Sequence, residues 1–331
     1  MTTCLACDFG GSAVKYALVD EEANLSHSGK LDAPLDSIEQ FVDTVADLHA
    51  RFPDVDGIAI SIPGTIDPET GHLFGSGAYT ALYGVDIAGI VRERCGVEVT
   101  VENDGKCAAL SEAWVGGLVD DADGAVIILG SGLAGGLIKD GRVHHGADFS
   151  AGEISFLMID PDDRSLMGSA FMSCGMFGMT YKMCKEKGLD LSVQDSSEII
   201  QFLDTRFQGR YAPAPAEPVA IKADGKQMFE WLAAGDPVVE RIYAEFISAL
   251  AIVVHTIQIS YAPSRVVIGG GLSRQERIFA DLDAELARLY SALDLPSRLQ
   301  ARVVRSRFLD ESCVVGATYN FLHRNPQLEA V

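Results

Sequence analysis

The stretch LACDFGGSAVKYALVD, from Leu5 to Asp20, predicts two apolar strands joined by a glycine-rich turn. Asp8 ends the first strand, and Lys15 interrupts the apolar pattern of the second. Glycine lets the backbone approach a ligand closely and can form a nest of N–H groups that holds an anion. A carboxylate beside such a turn can hold Mg²⁺ through water, and the ion then bridges phosphate oxygens. The turn therefore indicates a phosphate site, with simple closure of a hairpin as the alternative.

The same pattern recurs in GAVIILGSGLAGGLIKDGRV, residues 124–143, where a strand, a Gly/Ser turn and a second strand precede an Asp-Gly turn. Two such turns, each after an apolar strand, favour the phosphate interpretation and suggest two related lobes. A third glycine cluster, VVIGGGLS at residues 266–273, suits packing against a purine. It does not belong to a dinucleotide fingerprint, because no G-x-G-x-x-G follows the first strand.

Composition narrows the class of protein. The chain has 331 residues, enough for about two domains, and its 48% hydrophobic and 22% charged residues are ordinary for a soluble protein. A net charge of −21 repels a phosphate backbone, so no nucleic-acid partner is expected. Seven scattered cysteines predict free thiols in a reducing cytoplasm. No signal peptide is recognisable, and apolar runs such as ISALAIVVHTIQI, residues 247–259, look too short and too polar for a membrane span.

Helical patterns alternate with the strands, which indicates α/β architecture. Apolar residues at helical spacing predict a helix within residues 35–52. Gly96 is expected to end another helix, and Asp236 and Pro237 are expected to begin a long one as its N-cap and first residue. SCVVGATYNFLHR, residues 312–324, predicts a final helix.

Several motifs follow one another along most of the chain: DFGGSAVKYALVD, PGTIDPETG, VENDGKCAALSE, LGSGLAGGLIKDG, GADFSAGEI and VVIGGGLS. In this order they resemble the ROK family (repressor, open reading frame, kinase). The resemblance implies an α/β, two-lobed actin/hexokinase-like (ribonuclease H-like) fold, with ATP and a sugar in the cleft between the lobes. We expect an N-terminal lobe over residues 1–118 and a larger C-terminal lobe over 119–309. A C-terminal helix, at about 310–331, is expected to pack back on the first lobe.

The resemblance assigns the two glycine turns to the phosphates of ATP and the third cluster to its adenosine. It also implies that Asp8 holds Mg²⁺ through water. For Lys15 the alternative is a solvated strand residue, and the role of Lys106 is open. The expected nucleotide-binding residues are Asp8, Gly10, Gly11, Ser12, Lys15, Gly130, Ser131, Gly132, Gly135, Gly270 and Gly271.

The sugar side is expected around VEND, residues 101–104, where a strand ends just before a helix. Phosphate transfer to a hydroxyl needs a group that takes the proton, and the resemblance gives this role to Asp104. Asn103 can donate to and accept from sugar hydroxyls, with an N-cap as the structural alternative. Glu153 matches a glutamate that holds sugar hydroxyls in the family, with a surface carboxylate as the alternative. Gly64 and Gly77 complete the expected substrate-binding residues.

The sequence departs from the family's zinc motifs, G-E-x-G-H and C-x-C-G-x-x-G-C-x-E. Phe156 stands where histidine is expected, and Tyr181 where a glutamate is expected. Met172 and Met179 replace two cysteines, so that only Cys174 remains. One thiolate cannot form a tetrahedral zinc site. We therefore expect no zinc, and a packed apolar cluster in this segment.

The resemblance implies a cytoplasmic, homodimeric, ATP-dependent sugar kinase that phosphorylates the 6-hydroxyl of a hexose or β-glucoside. Aromatic replacements at Phe156 and Tyr181 would not demand a free anomeric hydroxyl, and the small residues at 75–78 leave room. This pattern resembles the β-glucoside kinase branch. A glucokinase or N-acetylmannosamine kinase is the alternative within the class, and a catalytically inactive sugar-binding protein lies outside it. A repressor is disfavoured, because only seven residues precede the first phosphate motif, where regulators carry a helix-turn-helix domain.

Overall fold

A computed structural model gives the structure of most of the chain. Two residues of the predicted site regions, Ser12 and Ser76, lie outside the described residues. The residues that the structure describes are 2–11, 13–75, 77–188, 225–308 and 310–324.

Three sheets organise the described chain, with the orders β3-β2-β1-β4-β8, β11-β10-β9-β12-β13 and β5-β6-β7. Their strands, in chain order, are β1 Thr3–Phe9, β2 Ala13–Asp20, β3 Leu25–Asp32, β4 Gly57–Ile62, β5 Thr65–Asp67, β6 His72–Gly75, β7 Val85–Asp86, β8 Glu98–Asn103, β9 Gly124–Leu129, β10 Leu133–Lys139, β11 Arg142–Val143, β12 Val266–Gly269 and β13 Val303–Arg305.

The helices of the described chain accompany these sheets. They are α1 Ile38–Arg51, α2 Ile87–Cys95, α3 Asp104–Val115, α4 Ala170–Cys174, α5 Met176–Lys187, α6 Gly225–Ala233, α7 Pro237–Tyr261, α8 Glu276–Ala292 and α9 Ser312–Arg324.

The predicted helix signals are present in the structure. Helix α1 buries Phe41, Val45 and Leu48 at helical spacing. Helix α2 ends at Gly96, whose φ of 73° is the left-handed conformation that glycine adopts without strain. The side chain of Asp236 accepts hydrogen bonds from the first backbone N–H groups of α7, whose first residue is proline.

The register of the first sheet brings polar residues to one edge. Strands β1 and β2 are antiparallel, with Asp8 opposite Lys15. Strands β1, β4 and β8 are parallel, and Asp8, Ser61 and Glu102 lie side by side across them. Because parallel strands end at the same edge of a sheet, the residues that follow each strand converge there.

The second sheet repeats this arrangement with glycine at the strand ends. Strands β9 and β10 form an antiparallel hairpin, and β12 lies parallel to β9 with Gly269 beside Ile128. The turn after β9 and the glycines after β12 therefore share one edge. Ile127, Leu250 and Ile268 belong to the large core beneath this sheet.

Helices α3 and α9 connect the two sheets. Helix α9 packs on α3 and on β1 and β4, and α3 also packs on β9 and β10. The contacts are close: a Cβ on Gly105 would lie 2.4 Å from the Gly135 oxygen, and a Cβ on Gly316 would meet the Cys107 oxygen. We keep the division of the chain after residue 118 as a proposal, with the C-terminal helix assigned to the first lobe.

Helix α7 corrects one expectation. Within the described ranges it is the one helix long and apolar enough to cross a membrane, so the statement that apolar runs are too short and too polar is wrong. Its most apolar window is 61% buried inside the protein. Because α7 packs against α4, α5, α6 and α8, its apolar composition is that of a core helix.

Candidate active site

Asp8 lies part-buried, one residue before the end of β1, among polar partners. The Ser61 hydroxyl donates to Asp8 Oδ1 at 2.9 Å. Burial raises the pKa of Asp8 to about 6, with a further rise from the Asp104 carboxylate; Lys15 and hydrogen bonds from Ser61 and Cys313 lower it in part. The Asp104 carboxylate raises the pKa of Asp8, and a cation beside Asp8 would offset this repulsion. The residues therefore fit the expected Mg²⁺ near Asp8.

Asn103 caps α3 and also ties a loop to it. Its Oδ1 accepts from the Lys106 backbone N–H at 3.0 Å, and its Nδ2 donates to the Gly64 oxygen at 3.0 Å. The N-cap, which the sequence analysis kept as the alternative, is therefore present. The amide still has a second N–H, so a cap and a sugar contact are compatible. Gly64 has a φ of 131°, which explains the glycine in the loop that Asn103 holds.

Asp104 is the first residue of α3. Its Oδ1 accepts from the Gly105 N–H at 2.8 Å. Burial raises the pKa of Asp104, while the Gly105 N–H and the nearby Lys106 ammonium lower it in part. A carboxylate with a raised pKa is a stronger base, and the helix N-terminus and Lys106 both favour its ionised form.

Lys106 is a buried cation beside the sugar-side carboxylates. The residue is 1% exposed, and its Nζ lies 3.4 Å from Glu153 Oε1. Burial raises the pKa of Glu153; Lys106 lowers it, and Asp104 raises it further. Glu153 is largely buried, so the alternative of a surface carboxylate is wrong. Lys106, whose role the sequence left open, pairs with Glu153 and lowers the pKa of Asp104 in part.

A buried pair that sequence reasoning missed lies directly behind these residues. Glu102 accepts from the Asn103 backbone N–H at 2.8 Å through Oε1, and its Oε2 lies 2.8 Å from His145 Nε2. His145 belongs to the segment that leads from β11 to Glu153. The one signal in the sequence is that Glu102 interrupts an apolar strand just before Asn103. The pair fixes this segment against the start of α3.

Three of the predicted nucleotide glycines have no structural reason to be glycine. Among the described glycines without a positive φ, a Cβ would meet nothing within 4 Å at Gly130 and Gly271, and only Ala78 at 3.6 Å at Gly11. All the others of this group would bring a Cβ within 3.4 Å of a neighbour. Neither conformation nor crowding requires glycine at these three positions, and their backbone is open to the approach of a ligand.

The other predicted nucleotide residues give no such separate support. Gly132 and Gly135 are crowded by Phe171 and Ile154, with the added Cβ at 2.7 Å in both cases. Gly270 has a φ of 84°. Their glycine is explained by packing or by conformation. Gly10 closes the first turn through its N–H to the Ala13 oxygen at 3.0 Å, Ser131 is exposed in the second turn, and Ser12 is not described.

Lys15 is half-exposed and lies on β2, opposite Asp8. Its Nζ is 3.8 Å from Asp310 Oδ1 and 3.4 Å from the Asp310 backbone oxygen. Asp310 also pairs with Arg274. Both interpretations of Lys15 therefore stay open, because a half-exposed ammonium can turn to a phosphate or remain solvated.

The two aromatic replacements have different surroundings. Phe156 is 56% exposed on the short turn Ile154–Phe156 that follows Glu153. Tyr181 is buried in a cluster with Met172 and Phe177, and its ring stacks on Phe177 at 6.2 Å. The ring of Tyr181, which the sequence analysis related to the anomeric hydroxyl of the sugar, therefore packs in the protein interior. The expected apolar cluster in this segment is present.

The described part of the chain contains no group of three or more His, Cys, Asp or Glu residues arranged for a metal ion. Cys174 is fully buried, and burial raises the pKa of its thiol to about 12, so the thiol is protonated at neutral pH. The absence of zinc stays a prediction.

The fold and site define an α/β protein with two five-stranded sheets, one carrying carboxylates near its strand ends and the other glycine turns. The chain belongs to the ROK family, whose family model matches residues 4–324. It is 26% identical to a β-glucoside kinase of Klebsiella pneumoniae over 97% of both chains. It is 29% identical to an N-acetyl-D-glucosamine kinase of Escherichia coli over 96% of this chain and 97% of the relative.

Solved structures share the fold. A ROK family protein from Streptococcus pneumoniae, in complex with sucrose, matches with a TM-score of 0.79 and 19% identity over 98% of this chain and all of that one. A ROK glucokinase from Streptomyces griseus, in complex with glucose and AMPPNP, matches with a TM-score of 0.75 and 22% identity over 95% and 97%. The predicted actin/hexokinase-like fold is confirmed.

Proposed function

We propose that this ROK family protein is an ATP-dependent sugar kinase that phosphorylates the 6-hydroxyl of a β-glucoside or of glucose. The observation that carries the proposal is the position of Asp104: a part-buried carboxylate with a raised pKa, at the start of a helix, beside Asn103 and the Lys106–Glu153 pair. Named relatives over nearly the whole length are sugar kinases, which supports the same class.

The proposed reaction uses these residues as follows. Asn103 and Glu153 hold the sugar hydroxyls, and Lys106 fixes Glu153 in place. Asp104 takes the proton of the 6-hydroxyl as that oxygen bonds to the γ-phosphorus of ATP and the bond to the ADP oxygen breaks. The open glycine turns at Gly11 and Gly130 supply backbone N–H groups for the phosphates. Mg²⁺, held through water by Asp8, would neutralise phosphate charge when bound.

The preference for a glucoside follows from the apolar sugar side. Phe156 is exposed one short turn after Glu153, where a polar residue would bind a free hydroxyl. The likeness to the β-glucoside kinase of Klebsiella pneumoniae supports this choice. The likeness to N-acetyl-D-glucosamine kinases makes that sugar a competing acceptor, together with N-acetylmannosamine. The retained Asp104, Asn103 and Glu153 argue against a catalytically inactive sugar-binding protein.

A substrate panel tests the proposal. We expect Mg-ATP-dependent turnover of cellobiose, an aryl β-glucoside and glucose, with lower kcat/KM for fructose, N-acetylglucosamine and N-acetylmannosamine. A kcat/KM about tenfold or more higher for any of the last three than for glucose and every glucoside would overturn the proposed acceptor sugar. Absence of turnover with all six would overturn the kinase.

We further propose that the enzyme works in the cytoplasm as a homodimer, with Mg²⁺ and without zinc. The cysteines of the described chain are free, which suits a reducing compartment. Sedimentation analysis tests the dimer. Elemental analysis of tag-free protein tests the metal, and stoichiometric zinc would contradict the proposal.

A further inference from the structure

Two phenylalanine rings meet in the structure without contributing to either core. Phe74 lies on β6 and is 56% exposed. Phe149 lies in the segment between β11 and Glu153. Their ring centroids are 6.0 Å apart and their planes differ by 8°. A phenylalanine that stays exposed adds little to the stability of the fold. Two parallel rings of this kind create an apolar surface that the core does not require.

Phe149 is held firmly in this position. Its φ of 62° is a conformation that phenylalanine rarely adopts, so the surrounding structure must maintain it. Its ring meets the edge of the His145 ring at 6.4 Å. His145 in turn is bound to the buried Glu102. Strained residues that are held by their surroundings cluster at ligand sites.

The same contacts place the two rings on the sugar side of the site. Glu102 accepts from the backbone N–H of Asn103, which directly precedes Asp104. Phe149 comes four residues before Glu153 in the chain, and Phe74 comes just before the loop that contains Gly77. A series of contacts, from Phe149 through His145 and Glu102, thus links the two rings to the expected sugar-binding residues.

We propose that Phe74 and Phe149 form an aromatic platform for the group attached to the anomeric oxygen of a β-glucoside. That group is a second sugar ring or an aryl ring, and both have an apolar face that stacks on an aromatic ring. The inference rests on the proposed function and deepens it. A free hexose has no group at this position, so the platform selects glucosides over glucose without touching the reacting hydroxyl.

Variants at the exposed position test the platform. For Phe74→Ala we expect kcat/KM to fall about fivefold to tenfold for cellobiose and for an aryl β-glucoside, mainly through KM, and to change less than about twofold for glucose. Phe74→Leu keeps apolar volume without a ring, so its kcat/KM for glucosides should fall as it does in Phe74→Ala. Phe74→Tyr keeps the ring and should retain kcat/KM. Phe149→Leu should show the same selectivity. Leu293→Ala, at an apolar position that is 51% exposed beyond the end of α8, is the control.

Each contrary result has its own meaning. Equal losses for glucose and glucosides would overturn the platform and make Phe74 a support for the fold. Unchanged kcat/KM in Phe74→Ala, or full activity in Phe74→Leu, would also overturn it. A wild-type enzyme that phosphorylates glucose but no glucoside would overturn the platform and leave the kinase standing. A wild-type enzyme that phosphorylates no sugar would instead overturn the proposed function.

Discussion

The two five-stranded sheets share one topology but end in different chemistry. In each sheet an antiparallel hairpin is extended by a third antiparallel strand on one side and by two parallel strands on the other. The parallel strands of the first sheet carry Asp8, Ser61 and Asn103 at or one residue before their last positions. Those of the second lead to the glycines at Gly130 and Gly270. One frame therefore carries side-chain chemistry, and the other carries exposed backbone.

The difference shows what each half of a phosphate transfer requires. A base needs a carboxylate whose pKa is adjusted by burial and neighbours, as at Asp104. Phosphates need backbone N–H donors without side chains in the way, and a Cβ at Gly130 would point into open space. The need for a base places charged side chains in the first sheet. The need for phosphate contacts leaves the glycine turn after β9 in the second sheet open.

The largest expected effect is that of Asp104→Asn. The amide keeps the shape and the bond from the Gly105 N–H but cannot take a proton, so kcat should fall about 10²–10⁴-fold. The KM for sugar should change much less, because the amide still forms hydrogen bonds. Steady-state kinetics measures both, and more than about a third of the wild-type kcat would exclude Asp104 as the base. Unfolding in urea serves as the control: since burial raises the pKa of Asp104, the variant should be no less stable.

Asp8→Asn should stabilise the Mg²⁺-free protein. Because the pKa of Asp8 is raised from 3.8 to about 6, its ionisation costs about 3 kcal/mol more in the folded protein than in the unfolded chain. This penalty is absent below the unfolded-state pKa, and stability is lost as the pH rises through about 6. Urea unfolding at about pH 7.5 should show a gain of about 1–3 kcal/mol that disappears near about pH 4.

Asp20→Asn is the matched control for this gain. Although burial raises the pKa of Asp20, hydrogen bonds from Asn24 and Glu22 outweigh it and lower the pKa overall, so no gain is expected. An Asp8→Asn protein that is less stable than wild type at both pH values would contradict the claim that the ionised Asp8 carboxylate destabilises the folded protein.

Gly130→Ala tests the C-terminal edge. The added methyl group meets nothing within 4 Å in the protein, so folding should be unaffected. It would occupy space that the account reserves for the nucleotide, and the KM for ATP should rise about tenfold, or about 1.4 kcal/mol. Gly271→Ala should act in the same direction, with the KM for sugar unchanged in both. Normal ATP kinetics in both variants would remove the main support for the nucleotide site.

The smallest effect is expected for Lys15→Met. The pair with Asp310 is half-exposed, so its loss should change the free energy of unfolding by less than about 1 kcal/mol. If Lys15 contacts phosphate, the loss of that contact in the variant raises the KM for ATP about threefold. We expect this result because Lys15 lies opposite Asp8. An unchanged KM for ATP would make Lys15 a solvated strand residue.

The sequence sufficed for features that depend on neighbours along the chain. The hairpins, the cap at Asp236 and the end at Gly96 are local, and the apolar run of the first strand predicts that Asp8 lies at its end. The partners of Lys106 and Glu102 could not be predicted, because Glu153 lies 47 positions from Lys106 and His145 lies 43 from Glu102. Only the packing of the start of α3 against the segment between β11 and Glu153 brings these partners together.

Tyr181 shows the same limit in the opposite direction. Its place in the motif suggested a contact with sugar, but the way α5 packs turns the ring into the cluster with Met172 and Phe177. The orientation of a helix depends on all its packing partners, and a motif does not encode it. The aromatic surface at Phe74 and Phe149 escaped notice for the same reason, because its two rings come from separate parts of the chain.

Phosphorus NMR of the products tests the central claim most directly. Wild-type protein is incubated with Mg-ATP and cellobiose or glucose, in parallel with Asp104→Asn. The account predicts a single new phosphate ester coupled to the C6 protons, formed in equal amount to ADP by wild type and nearly absent with the variant. ADP released without sugar, an ester at another hydroxyl, or equal product from Asp104→Asn would contradict it.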